Sequence, residues 1–259
     1  MKQSLFVEAI HAFNDNYIWA IRWNQRDFCI LIDPGDAQAA LRYLSDNKLR
    51  LLAIWNTHHH QDHTGGNSEL KHRYACPVLG SQEDKRRISG LDQGLVHGDS
   101  FMIPGDEVLV ISTPGHTMGA VCFLLRGSSA LFCGDTLFSM GCGRMFEGTP
   151  EVYWKSLKTL RNLPSATELF CAHEYTLDNG AFALNLTPGD RELAAYIERL
   201  RDRSCQKGRT LPVLLRDELR FNPFLRVDQP DFVASLPFET RGLGEGDVFA
   251  QIRLMKDHM

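Results

Sequence analysis

Positions 58 to 63 of this 259-residue chain read His-His-His-Gln-Asp-His; Thr57 precedes them, Thr64-Gly65-Gly66 follows, and the whole segment comes directly after the apolar run Leu51 to Trp55. Imidazoles and a carboxylate crowded together in this way form a donor set for a metal ion, and the mixture suits zinc, with iron or manganese as alternatives. Residues just past a strand leave it at fixed angles, so the loop can aim His58 and His60 at one point and Asp62 and His63 at a neighbouring one. Gly65 and Gly66 are expected to supply conformational freedom where the loop turns into a helix. By itself a His-rich loop is a common solvated feature. Three further apolar stretches end the same way, however: Pro114-Gly115-His116-Thr117 follows Val108 to Ser112, Cys133-Gly134-Asp135-Thr136 follows Leu131 and Phe132, and Ala172-His173-Glu174 follows Leu169 to Cys171. Separate strand ends that each deliver a donor point together to a metal site.

The elements that must position these donors are short strands in the first half of the chain. Alternation and apolar runs predict strands at Ser4 to Ile10, Tyr17 to Trp23, Phe28 to Ile32, Leu51 to Trp55, Val108 to Ser112, Val121 to Leu125, Leu131 to Cys133 and Leu169 to Cys171. Asp36 is placed to cap a helix in which Ala37, Ala40, Leu41 and Leu44 fall at amphipathic spacing, and a second helix is expected from about Gly66 to Tyr74. Hairpins mixed with strand–helix units predict an α/β (α+β) sandwich of sheets covered by helices. Beyond His173 the periodicity turns helical, through Ala181 to Leu186, Arg191 to Arg203 and Val248 to Lys256, with Pro212, Pro223, Pro230 and Pro237 breaking up the stretch between. The expected organisation is a main domain at 1–173 and a smaller, mainly helical domain at 174–259.

Composition narrows the function classes. The chain is 43% hydrophobic and 23% charged, has no apolar run long enough to span a bilayer, and carries a formal net charge of -4 with both signs interspersed. No membrane association and no nucleic-acid partner is expected. The N-terminus meets Glu8 before a signal-like apolar stretch develops, and the seven cysteines include no close Cys-x-x-Cys pair. They are expected to be reduced thiols in a cytoplasmic protein, here taken as a monomer.

The run Thr-His-x-His-x-Asp-His at 57–63, with His116, Asp135 and His173 downstream, resembles the metallo-β-lactamase superfamily. That resemblance implies an αββα sandwich with two divalent metal ions per chain at one sheet edge. It implies that His58, His60 and His116 hold one ion, that Asp62, His63 and His173 hold the other, and that Asp135 bridges them. His59 matches the variable position and is expected not to ligate. Two divalent cations against Asp62 and Asp135 leave a positive centre, which favours a bridging hydroxide near neutral pH. Asp62 and Asp135, with that hydroxide, are therefore the expected catalytic residues.

The resemblance narrows at Gly134-Asp135-Thr136-Leu137-Phe138, Gly141-Cys142-Gly143-Arg144-Met145-Phe146-Glu147-Gly148, Cys171-Ala172-His173-Glu174-Tyr175-Thr176, Asn222-Pro223-Phe224-Leu225-Arg226 and Arg253-Leu254-Met255-Lys256-Asp257, which are similar to the glyoxalase II family. For that family the implied reaction is hydrolysis of S-D-lactoylglutathione to glutathione and D-lactate. The implied glutathione-binding residues are Arg144, Phe146, Tyr175, Arg253 and Lys256. Cations suit a ligand with two carboxylates, which arginine grips with paired hydrogen bonds. Phe146 departs from the tyrosine of some relatives, and Arg144 stands for a lysine. Cys142 has no histidine partner in sequence and is read as structural. A mononuclear iron persulfide dioxygenase on the same fold would use fewer ligands than the full set present. A noncatalytic scaffold would be expected to lack the bridging ligand, whereas Asp135 is retained.

Overall fold

A computed structural model describes residues 5–259. The N-terminal end of the first expected strand, Ser4, lies outside them. The first sheet is built from β1 (Leu5–Ala12), β2 (Asn16–Trp23), β3 (Phe28–Ile32), β4 (Arg50–Trp55), β5 (Val78–Ser81) and β6 (Gln93–Leu95), side by side in that order. β1 to β3 are antiparallel neighbours, and β3 to β6 run parallel. The second sheet contains β7 (Ser100–Ile103), β8 (Asp106–Ser112), β9 (Val121–Leu125) and β10 (Ala130–Gly134). After a small hairpin of β11 (Leu137–Phe138) and β12 (Gly141–Cys142), it is completed by β13 (Glu168–Cys171) and β14 (Val213–Leu214), in the order β14-β13-β10-β9-β8-β7.

Period-two alternation in β2 shows why the sheets stack. Tyr17, Trp19, Ile21 and Trp23 face the core shared with Val108, Val110, Phe123 and Phe132 of the second sheet. Ile18 and Ala20 point the other way, against α1 (Ala37–Asp46) and the later helix at Asn67–Tyr74 through Ala39, Ala40, Leu44 and Leu70. Asp36 caps α1 as expected, its carboxylate accepting from the backbone N–H groups of Gln38 and Ala39. The single turn α2 (Gln61–Thr64) and α3 (Asn67–Tyr74) follow β4. α4 (Pro150–Arg161) lies in a stretch for which no helix is predicted above. Its signals are nevertheless present: Thr149 caps it, Pro150 opens it, and Tyr153, Trp154, Leu157 and Leu160 are buried.

The tail holds α5 (Thr176–Leu186), α6 (Arg191–Lys207), α7 (Leu215–Phe221), a 3-10 turn at Pro223–Leu225, α8 (Pro230–Ala234) and α9 (Glu245–Asp257). These helices bury Phe182, Leu186, Phe224, Phe249 and Ile252 in the same core as the second sheet. The result is helices, sheet, sheet, helices. Among the described residues no helix is long and apolar enough to cross a membrane.

Candidate metal centre and the adjoining cavity

All four donor-bearing strand ends meet on one edge of the sandwich. β4 delivers His58 and His60, and α2 carries Asp62 and His63. The loop after β8 brings His116, the end of β10 brings Asp135, and the end of β13 brings His173. Gly134, at φ 49, makes the sharp exit from β10, and a Cβ there would stand 2.3 Å from the Thr57 hydroxyl. Gly65 and Gly66 serve a purpose other than the one expected. Their φ values, -59 and -83, are ordinary helical ones. What requires glycine is the close approach of the Pro34–Gly35 loop, since Cβ atoms there would lie 2.7 Å from the Gly35 carbonyl and 2.3 Å from that of Pro34.

The donors form two clusters joined by one carboxylate. In the first, His60 Nδ1 lies 3.0 Å from His58 Nε2 and 3.0 Å from His116 Nε2, which is 3.4 Å from Asp135 Oδ2. In the second, Asp62 Oδ2 is 3.5 Å from His63 Nε2 and 3.4 Å from His173 Nε2, and each of those nitrogens is 3.4 Å from Asp135 Oδ1. A tetrahedral ion with ligands at about 2.0–2.1 Å holds them about 3.3 Å apart, so both clusters have the spacing of a cation's ligands. His63 Nε2 and Asp135 Oδ1 are buried without a hydrogen-bond partner. Such orphaned polar atoms are costly in the absence of a ligand, and a cation between them would satisfy both.

Four of the five imidazoles are held from behind. His58 Nδ1 is 3.1 Å from the Thr57 hydroxyl, which itself donates to Asp33 Oδ2 at 2.6 Å. His116 Nδ1 donates to the Arg144 carbonyl at 2.7 Å, and His173 Nδ1 to Asp15 Oδ1 at 2.8 Å. His63 Nδ1 sits 3.0 Å from Asp33 Oδ2 but off the line of a hydrogen bond, a charge contact. Asp15, Asn16 and Asp33 are therefore site residues that sequence reasoning missed. His59 turns away from the clusters, toward Asp84 Oδ2 at 3.2 Å.

Electrostatics separate the clusters. Burial and the neighbouring imidazoles hold His58 well below its usual range, and push His60 down to about 4. Burial lowers His116 as well. Those imidazoles keep their lone pairs free for a cation. Burial also disfavours charge on His63 and His173, but Asp135 and other carboxylates outweigh it and push them up to about 10 and about 11. Burial works against the charge of Asp135 too, yet the His63 and His173 rings hold it well below the carboxylate range. Without a cation, protons on the second cluster therefore balance its carboxylates.

A cavity of about 480 Å³ opens from Asp135 and His116, and Arg144, Phe146, Tyr175, Arg253 and Lys256 all line it. The sequence-expected substrate residues thus come together, with Phe138, Asp178 and Asn179 as lining residues not foreseen. Tyr175 stacks on the His173 ring at 4.8 Å. Phe146 is exposed and sets its edge against His60 and His116. Arg253 is 7% exposed; it donates through Nη1 to the Cys142 carbonyl (2.9 Å), pairs through Nη2 with Asp257 (3.1 Å), and lies over the Phe224 ring. The Cys142 thiol is buried, and burial pushes it up to about 11. A second cavity, of about 420 Å³, lies over His60, Asp62 and His173 and shares His116, Asp135, Phe146 and Tyr175 with the first.

Residues 13–173 match the family model described as the metallo-beta-lactamase superfamily, and residues 174–259 match the one described as the hydroxyacylglutathione hydrolase C-terminus. The hydroxyacylglutathione hydrolase of Idiomarina loihiensis is 46% identical over 254 residues, covering 97% of this chain and 99% of that protein. Among solved structures, ETHE1 from Myxococcus xanthus superposes with a TM-score of 0.67 at 22% identity, over 96% of this chain and 90% of its own. A di-iron-bound form of TTHA1623 does so with a TM-score of 0.61 at 23% identity, over 85% of this chain and 100% of its own. At these identities the two structures speak to the fold alone.

Proposed function

The chain belongs to the metallo-β-lactamase superfamily and, within it, to the hydroxyacylglutathione hydrolases, and from that membership we propose that it is a thioester hydrolase acting on S-(2-hydroxyacyl)glutathione. The chief substrate is S-D-lactoylglutathione, cleaved to glutathione and D-lactate, the second step of methylglyoxal detoxification. The observation that carries this reading is the join between donor clusters and cationic cavity: His116 and Asp135 belong to both. A thioester whose acyl carbon lies at the clusters extends its glutathione toward Arg144, Tyr175, Arg253 and Lys256.

His58, His60 and His116 are assigned to one divalent ion, and Asp62, His63 and His173 to a second, with Asp135 between them. Zinc is the first choice, and iron or manganese the alternatives. Bound there, such ions activate water near neutral pH and polarise a carbonyl. Asp62 and Asp135 supply the negative charge that fixes the clusters. The arginines grip glutathione carboxylates through paired donors. A thiolate whose parent thiol has a pKa of about 8.5 leaves without a dedicated acid. In this reading residues 1–173 carry the chemistry and 174–259 hold the substrate. The seven unpaired thiols support a cytoplasmic location, and we take the working unit to be a monomer.

A panel of acyl-glutathione and acyl-cysteamine thioesters, with a β-lactam and a phosphodiester, tests the activity. Efficient turnover is expected for the glutathione thioesters only, and preferential cleavage of either of the last two would overturn the reading. Elemental analysis should find two first-row transition metals per chain, and a fully active preparation with one would contradict the ion assignment. Phe146→Tyr, which adds a hydroxyl at an exposed position of the cavity wall, should lower KM for lactoylglutathione by about 1 kcal/mol, roughly fivefold, with kcat unchanged. Steady-state kinetics on the pair of proteins measures it.

A further inference from the structure

We propose that the turn between β1 and β2 and the first residue of β2, through Asp15 and Asn16, form the positioning element of the second cluster alone, and set how tightly that cluster holds its ion. The inference rests on the two-ion reading above. Asp15 Oδ1 accepts from His173 Nδ1 at 2.8 Å, and the Asp15 carbonyl accepts from the Glu174 backbone at 2.9 Å, so side chain and main chain grip the same strand end. Asn16 Nδ2 donates to Asp62 Oδ2 at 3.0 Å, and its backbone bridges to His173. Tyr17 adds a backbone bond to the Ala172 carbonyl at 2.7 Å and a phenol bond to Glu174 at 2.7 Å.

The turn thus reaches two ligands of the second cluster. In the first cluster no imidazole has a carboxylate directly behind it among the described residues; two rest on neutral acceptors, the Thr57 hydroxyl behind His58 and the Arg144 carbonyl behind His116. A carboxylate behind Nδ1 fixes the tautomer with its lone pair on Nε2 and makes that nitrogen a stronger donor to a metal. An amide N–H on the coordinating oxygen of Asp62 holds that rotamer toward the cluster. Asp62 is part-exposed, its side chain 41% accessible, so it gets less help from packing than the buried ligands do. The turn itself is built under constraint: Phe13 takes φ 50, a left-handed conformation that a bulky residue rarely adopts, while β1 and β2 pair up to Ala12 and Asn16 on either side.

Backgrounds with one cluster removed separate the two sites. Metal-free protein is titrated with Zn2+ in the presence of a competing chelator. In a His116→Ala background, where the second cluster remains, Asp15→Ala and Asn16→Ala should each weaken Zn2+ binding on the order of tenfold. Asp15→Asn, which keeps an acceptor but not the charge, should fall between Asp15→Ala and the background. In a His173→Ala background, where the first cluster remains, the same substitutions should leave Zn2+ affinity unchanged. Equal losses in both backgrounds would show that the turn merely supports the fold, and no loss in either would remove it from the site; each overturns the proposal. Zn2+ uptake of one equivalent by the unsubstituted chain would instead overturn the two-ion reading itself, and with it this inference, before any substitution is made.

Discussion

Asp135→Asn is expected to lower kcat for lactoylglutathione by about two to four orders of magnitude while leaving the secondary structure intact. The carboxylate faces both ways: Oδ1 lies 3.4 Å from His63 Nε2 and from His173 Nε2, and Oδ2 lies 3.4 Å from His116 Nε2. An amide keeps the shape but replaces one of those oxygens with an NH2 group that has no lone pair to offer, so whichever way it turns, one cluster loses a ligand. The negative charge that offsets the cations goes at the same time. The backbone does not depend on that charge, because Asp135 is held through its carbonyl by the Tyr153 hydroxyl at 3.1 Å and by the exit geometry of Gly134. Kinetics, metal analysis and circular dichroism on the same preparation check all three statements. Wild-type turnover with both metals bound would remove Asp135 from the bridge.

The candidate ligands were legible in the sequence because each lies within a few residues of a strong apolar strand or on the turn that follows it, where the chain's direction is largely set before any tertiary contact is known. Their outer partners were not. Asp15, Asn16 and the Asp33-Pro34-Gly35 segment read as turn formers, and the same side chains that build turns are the ones that hydrogen-bond imidazoles and carboxylates. Only the fold brings Asp15 to His173, 158 positions away. In the scaffold, the long strands and capped helices carried clear periodicity, whereas β5, β6 and β7 span four, three and four residues, too few to show a period. α4 carries legible signals of its own, a Thr149 cap and a Pro150 start. Arg253 illustrates a different limit. A cation on a terminal helix suggests solvent, but here the helix packs through Phe249 and Ile252 and carries the guanidinium inside with it.

That burial bears on the Arg253→Met variant, which should lose on the order of 1.5–3 kcal/mol in kcat/KM for lactoylglutathione, roughly tenfold to a hundredfold. Most of the loss should appear in KM, because a grip on the remote carboxylate changes little as the acyl carbon is attacked. Arg253 lines the cavity, yet it also donates to the Cys142 carbonyl at 2.9 Å and pairs with Asp257 at 3.1 Å. Methionine keeps much of the packing over Phe224 but leaves the Cys142 carbonyl without this donor, which is expected to lower thermal stability whatever happens to catalysis. A melting curve alone therefore cannot assign the residue; a second substrate can. A lactoyl thioester of a small neutral thiol has no carboxylate for Arg253 to hold, so variant and wild type should turn it over at nearly equal rates, both slower than wild type on the full substrate. Arg253→Lys, which keeps a charge but not the fork, should fall between the two on lactoylglutathione. Equal losses on both thioesters would mean that Arg253 acts by holding the β11–β12 hairpin beside the metal centre, and the glutathione carboxylate would then belong to Arg144 and Lys256.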